Sequence, residues 1–172
     1  MLARLEADGV RVVTIADVAD FDGVRSQIEA VAEGVGVPGR GAALIARMDE
    51  TLAATAPPVG TARPSALYLS AGGFTAGRGT LMDAILEAAG YSNAAARPFF
   101  TAVSVERIAL FPPARFVLGF FDQPRGDWRG AGRHPVVRDA ARGRIAARLP
   151  AAALTCPAWF AADAAAMLRA GA

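Results

Sequence analysis

The chain contains no lysine, so all 18 of its basic residues are arginine. That removes the cation a Walker-type phosphate loop requires. A single cysteine, Cys156, excludes an internal disulfide framework and any cysteine-based zinc site. A single histidine, His134, makes a metal centre built from side chains and a Cys–His nucleophile poor readings of this sequence. Long apolar runs are missing too. The longest uncharged stretches, between Arg63 and Arg78 and between Arg148 and Asp163, contain proline or glycine and fall short of the roughly 20 residues a membrane-spanning helix needs. The opening Met1-Leu2-Ala3-Arg4-Leu5-Glu6 sets an acid where a signal peptide has its apolar stretch. The sequence as it stands is therefore read as soluble and without an export signal.

The composition points to a packed domain. Hydrophobic residues make up 53% and charged residues 20% of 172 residues, which excludes a disordered tail and matches about one domain. Alanine supplies about a quarter of the chain, a bias of the source with no chemical meaning. The net charge of +2 gives little support to a nucleic-acid partner, but the charge is unevenly placed. Acids outnumber arginines over residues 1–50, whereas 125–148 hold seven arginines against Asp127 and Asp139.

Along the chain, residues 2–8 read as the end of a helix stopped at Gly9, and Val10-Arg11-Val12-Val13-Thr14-Ile15 as a short β-branched strand. Apolar Val24, Ile28 and Val31 mark a helix over about 23–34, and Leu44, Ile45, Met48 and Leu52 one over about 39–56 that ends at Pro57-Pro58. Beyond the prolines, residues 66–70 suit a buried strand and 71–79 a glycine-rich loop. Thr80 opens a helix that stops at Gly90, and Ser104 caps another that ends at Pro112-Pro113. Further strands are expected over 115–121 and 144–149, and a terminal helix over 157–170. This alternation predicts an α/β class with a parallel sheet, helices on both faces and a long helix in front of it. A lone strand at the start has too few neighbours to build a sheet of its own.

Three constellations could carry chemistry. The Gly72–Gly79 segment lies where a loop presents a helix N-terminus to phosphate, but it completes neither glycine-rich nucleotide motif. It either turns the chain or touches a small ligand. Phe74, Phe99, Phe100, Phe120, Phe121 and Trp128 fall at predicted strand ends and in the loops that follow, where a parallel sheet opens its ligand crevice. They either line that crevice or fill the core, and Trp128, between Asp127 and Arg129, is the hardest to place in a core. The arginines of 125–148 form either a solvated face or a surface for an anionic partner. His134, followed by Pro135, reads as a helix start.

Taken together, these pieces resemble the class III substrate-binding proteins of ABC transporters. The resemblance rests on a strand followed by Gly72-Gly73-Phe74…Gly77-Arg78-Gly79-Thr80, then Asp83…Leu86…Ala89-Gly90…Asn93, then Val103-Ser104-Val105-Glu106 and Phe116-Val117-Leu118. The tail His134-Pro135…Arg142-Gly143-Arg144-Ile145…Leu149-Pro150 completes it. It implies two α/β lobes joined by a rigid helix, with ferric siderophore, haem or cobalamin held between them. On that template residues 1–22 are the end of a first lobe, 23–58 a helical linker with the bridging helix, and 59–172 the second lobe. Most of the first lobe is then absent from this chain.

The resemblance further implies that Phe74, Arg78 and Phe100 face the ligand, with Trp128 added from the sequence itself. It places Glu106 as the carboxylate that docks on an arginine pocket of the permease, although an acid there also favours a helix start. An arginine near the cleft would suit a carboxylate-bearing cargo. The expected protein is a periplasmic, monomeric, non-enzymatic binding component with no resident cofactor, no metal site of its own and no nucleic-acid partner. Its partners are a metal chelate or corrinoid and an ABC permease. The rival readings are an α/β enzyme gripping a phosphate at Gly72–Gly79, and a non-functional gene fragment.

Overall fold

The computed structural model describes residues 4, 7–10, 12–123 and 130–171. Helix α1 (Phe21–Gly34) begins at Asp20, whose carboxylate accepts from the Gly23 N–H at 2.8 Å. Helix α2 (Pro38–Thr55) carries proline in its first turn and stops ahead of Pro57-Pro58. The two helices pack as a pair. Gly41 of α2 lies where a Cβ would strike Ala32 of α1, and Arg25 of α1 pairs with Asp49 of α2 at 2.6 Å.

The rest is one α/β body. Its elements are β1 (Ser65–Ser70), β2 (Phe74–Ala76), α3 (Leu81–Ala88), β3 (Ser92–Asn93), β4 (Phe100–Ala102) and α4 (Val105–Leu110). These lead into β5 (Arg115–Gly119), α5 (Pro135–Ala141), β6 (Ile145–Leu149), α6 (Ala151–Leu154) and α7 (Ala161–Ala170). Four strands form a parallel sheet in the order β3-β1-β5-β6. Successive strand residues point to opposite faces, and β1 and β5 bury both. Ala66, Tyr68 and Val117 meet Met82, Ile85 and Leu86 of α3 and the small face of α7, with Ala164, Ala165 and Leu168. Leu67, Leu69, Phe116 and Leu118 meet Ile108 of α4 and Val137 and Ala141 of α5. A third cluster, Val24, Met48 and Ala162 with Trp159 against it, seats the α1–α2 pair on α7. Arg47 covers Trp159 at 4.7 Å from the ring centroid.

The parallel α/β sheet with helices on both faces agrees with the reading of the sequence. Three expectations are corrected. Val10 and residues 12–15 form no strand, because β-branched residues supply propensity but no neighbouring strand pairs with them among the described residues. The glycine-rich segment is not all loop: it contains β2, which pairs antiparallel with β4. The second main strand ends at Gly119, because Phe120 turns into the left-handed region at φ 63°. Of the helix expected over 2–8, Arg4 and Ala7 are helical and the other residues up to Glu6 lie outside the described residues. No helix among the described residues is long and apolar enough to cross a membrane.

Candidate functional site

The strand order fixes where a ligand can enter. From β1 the chain moves outward to β3, then crosses back past β1 to β5 and continues outward to β6. If each crossover is right-handed, that single reversal sends the helices after β1 and β5 to opposite faces, as the two core clusters do. A crevice therefore opens beyond the carboxyl ends of β1 and β5. A cavity of about 330 Å³ lies there, walled by Ser70, Gly72, Phe74, Phe100, Phe120 and Gln123. A second cavity of about 710 Å³ shares Tyr68, Phe100 and Phe120 with it and extends to Val18, Leu81, Phe99 and Leu154.

The β2–β4 ribbon presents the aromatic wall. Phe74 pairs with Ala102 and Ala76 with Phe100, so both phenylalanines stand on one face of the ribbon, diagonal to each other. Phe74 is 50% and Phe100 67% exposed. The ribbon is tied to β1 by a tight turn: Gly73 N–H donates to Ser70 O at 2.9 Å, and Phe74 N–H donates to Ser70 Oγ at 3.0 Å. Gly73 has a φ of 86°, and a Cβ there would collide with Ala131, which is why this turn takes glycine.

Backbone strain gathers at the same place. Among the described residues, Phe99 (φ 59°) and Phe120 (φ 63°) are the two non-glycine residues with positive φ, and both line the crevice. A bulky residue in that region costs about 1–3 kcal/mol and persists only where its surroundings hold it. Phe99 is held by two backbone bonds, from its N–H to Arg78 O and from Gly77 N–H to its own carbonyl. Its ring lies over Gly79, where a Cβ would come within 3.2 Å. At the floor sits Tyr68, 4% exposed. Burial pushes its phenol up to about 12.

The sequence-predicted residues separate in space. Phe74 and Phe100 come together on the crevice wall. Arg78 is exposed, on the turn between β2 and α3, and belongs to neither cavity wall. Glu106 stands away from the crevice in the first turn of α4, fully exposed, with Ser104 Oγ donating to Oε2 at 2.8 Å. A backbone hydrogen bond first, then the Ser104 hydroxyl and the charge of His134, hold its carboxyl below the usual range. Trp128 lies outside the described residues.

Sequence reasoning missed Tyr68. Its place in a buried strand hid it, and the one available signal was a phenol set inside an otherwise apolar run. The phosphate alternative meets a filled site. Asp83 N–H already donates to Thr80 Oγ1 at 3.3 Å, Gly77 N–H is taken by Phe99, and the Asp83 carboxylate occupies the first turn of α3. No cluster of three metal-ligating side chains occurs among the described residues.

A family model described as periplasmic binding protein matches residues 2–115. No curated protein matches the sequence. The chain is similar in structure to the periplasmic haem-binding protein BhuT in complex with two haems, at 25% identity and TM-score 0.71, over 99% of this chain and 69% of that one. It is also similar to the periplasmic haem-binding protein RhuT from Roseiflexus sp. RS-1, at 24% identity and TM-score 0.70, over 99% and 71%. A third similar structure is described as an ABC-type Fe3+-hydroxamate transport system from Saccharomonospora viridis, at 22% identity and TM-score 0.73, over 97% and 63%.

Proposed function

The chain belongs to the periplasmic binding protein family, and from that premise we propose that it serves an ABC importer as its substrate-binding component, with an iron chelate (a siderophore or haem) or cobalamin as cargo. The observation that carries this reading is the exposed aromatic pair Phe74 and Phe100, standing with the strained Phe99 and Phe120 at the carboxyl ends of β1 and β5. Exposed aromatic faces at a topological switch point suit a large, flat or lipophilic cargo. Ring stacking adds about 0.5–1.5 kcal/mol per pair beyond area burial. The protein's role is capture, with no chemistry performed on the cargo.

Arg78, exposed beside Gly79 of the crevice wall, is assigned a charge-assisted contact with a carboxylate at the rim. Trp128 is retained as a further contact on sequence grounds alone. Glu106 is assigned to docking: an exposed carboxylate kept ionised by its own hydrogen bonds suits a basic pocket on the permease, where it steers encounter and orientation. Periplasmic location and a monomeric state complete the reading.

Equilibrium dialysis of the purified chain against haemin, a ferric hydroxamate siderophore and cobalamin tests it. Saturable binding of one of them at micromolar concentration or tighter supports the proposal and identifies the cargo. A folded chain that retains none of the three contradicts it.

A further inference from the structure

From the geometry of the crevice floor we infer that the Tyr68 hydroxyl is a cargo-selecting hydrogen-bond donor, taking a ligand that turns an acceptor oxygen (a carboxylate or a hydroxamate carbonyl) toward the ends of β1 and β5. The inference rests on the proposed binding role of this crevice and adds a named contact to it. Tyr68 lines both connected cavities.

The hydroxyls around it are engaged within the fold. Ser70 Oγ accepts from Phe74 N–H, Thr80 Oγ1 donates to Gly77 O at 2.7 Å, and Thr155 Oγ1 donates to Ala151 O at 2.6 Å. Tyr68 alone among the lining hydroxyls has no hydrogen-bond partner among the described residues, and its oxygen is not one of the sealed, unpartnered polar atoms of the interior. Among the described residues it is therefore unspent, and it is reachable from the cavity. Gly119 makes room for it, since a Cβ at that position would lie 2.6 Å from the phenol oxygen and 2.7 Å from Leu154.

A cargo that fills the cavity takes the Tyr68 hydroxyl, on a side chain already 4% exposed, out of contact with water, and leaving it unpaired there costs free energy. An acceptor oxygen on the cargo removes that cost. A cargo of the same shape without such an oxygen leaves the hydroxyl unpaired, and this asymmetry is how polar sites reject close analogues. Burial also keeps the group protonated across the physiological range, so it acts as a neutral donor.

The test compares the wild-type chain with Tyr68→Phe in dialysis against haemin, a ferric hydroxamate siderophore and ferric octaethylporphyrin, whose periphery bears no acceptor oxygen. Haemin and the siderophore separate the two sources of acceptor. Tyr68→Phe is expected to weaken whichever of them the wild type binds by roughly tenfold. It should leave any affinity for octaethylporphyrin unchanged, and the melting temperature should stay the same or rise, because no internal hydrogen bond is lost. Equal affinity of both proteins for the bound cargo would overturn the inference and leave the binding role standing. An equal loss toward octaethylporphyrin would also overturn it, since the ring alone would then be acting. A folded wild type that binds neither haemin nor the siderophore would remove the binding role for those cargoes, and this inference with it.

Discussion

Phe116 and Phe120 lie four residues apart, on and just beyond β5, and the fold uses them in opposite ways. Phe116 is 0% exposed, in regular strand geometry, with aliphatic side chains from α4 and α5 around it. Phe120 is half-buried at the mouth of the crevice with a left-handed backbone. The same contrast separates the sheet interior as a whole from its carboxyl edge. Inside, strand residues satisfy propensity, alternation and burial together. At the edge, Phe74, Phe99 and Phe100 are exposed and Phe99 is strained. A region that gives up stability in this way is where a function is expected to reside.

Substitutions can break or sharpen the contrast. Phe116→Ala should cost about 3–5 kcal/mol in urea unfolding, the range for truncating a fully buried aromatic. If the edge and the core were equivalent, Phe100→Ala would cost as much, yet it is expected to stay within about 0.5 kcal/mol because its ring is mostly in solvent. Gly119→Ala should fall between them, at about 1–3 kcal/mol, because its Cβ would overlap Tyr68 and Leu154.

A pH dependence at the boundary comes next. The Tyr68 phenol holds its proton more tightly in the folded chain, at about 12 against an ordinary 10.0. Its contribution to stability is therefore full below pH 10 and declines as pH rises toward 12. With no lysine in the chain, that window is free of ammonium titration. Urea midpoints measured from pH 9 to 12 should show a decline that Tyr68→Phe reduces. Phe99→Gly is expected to act in the opposite direction to the core truncation. Relief of the positive φ should leave stability unchanged or raise it by up to about 1 kcal/mol in the same unfolding assay.

Much of the interior was legible in the sequence because local and tertiary signals agree there. The proline pair at 57–58 ends α2, Thr80 and Ser104 cap α3 and α4 through their side chains, and His134 caps α5 through Nδ1 ahead of Pro135. The β1 and β5 runs are apolar because both of their faces are covered. The failures share one cause, which is that a tertiary partner decides the outcome. Residues 10–15 have strand propensity but no described neighbour to pair with. β2 is three residues set between Gly73 and Gly77, too short to read as a strand, yet it pairs with β4 twenty-odd residues later. On the crevice wall, Phe74 follows a predicted strand, whereas Phe100 was singled out by the resemblance. Phe99 and Phe120 were visible as aromatics, but nothing in the sequence announces a left-handed phenylalanine. Tyr68 was read as core because burial and cavity lining look alike in a strand.

The central claim, that the carboxyl edge of the sheet is the cargo surface, is tested most directly by two exposed phenylalanines on different sides of the molecule. Phe100 is on the crevice wall, and Phe111, 76% exposed, caps α4 outside it. Dialysis of Phe100→Ala and Phe111→Ala against whichever of haemin, ferric hydroxamate or cobalamin the wild type retains should show about a tenfold loss for Phe100→Ala and none for Phe111→Ala. Equal affinities in the two variants, with both chains folded, would contradict the account.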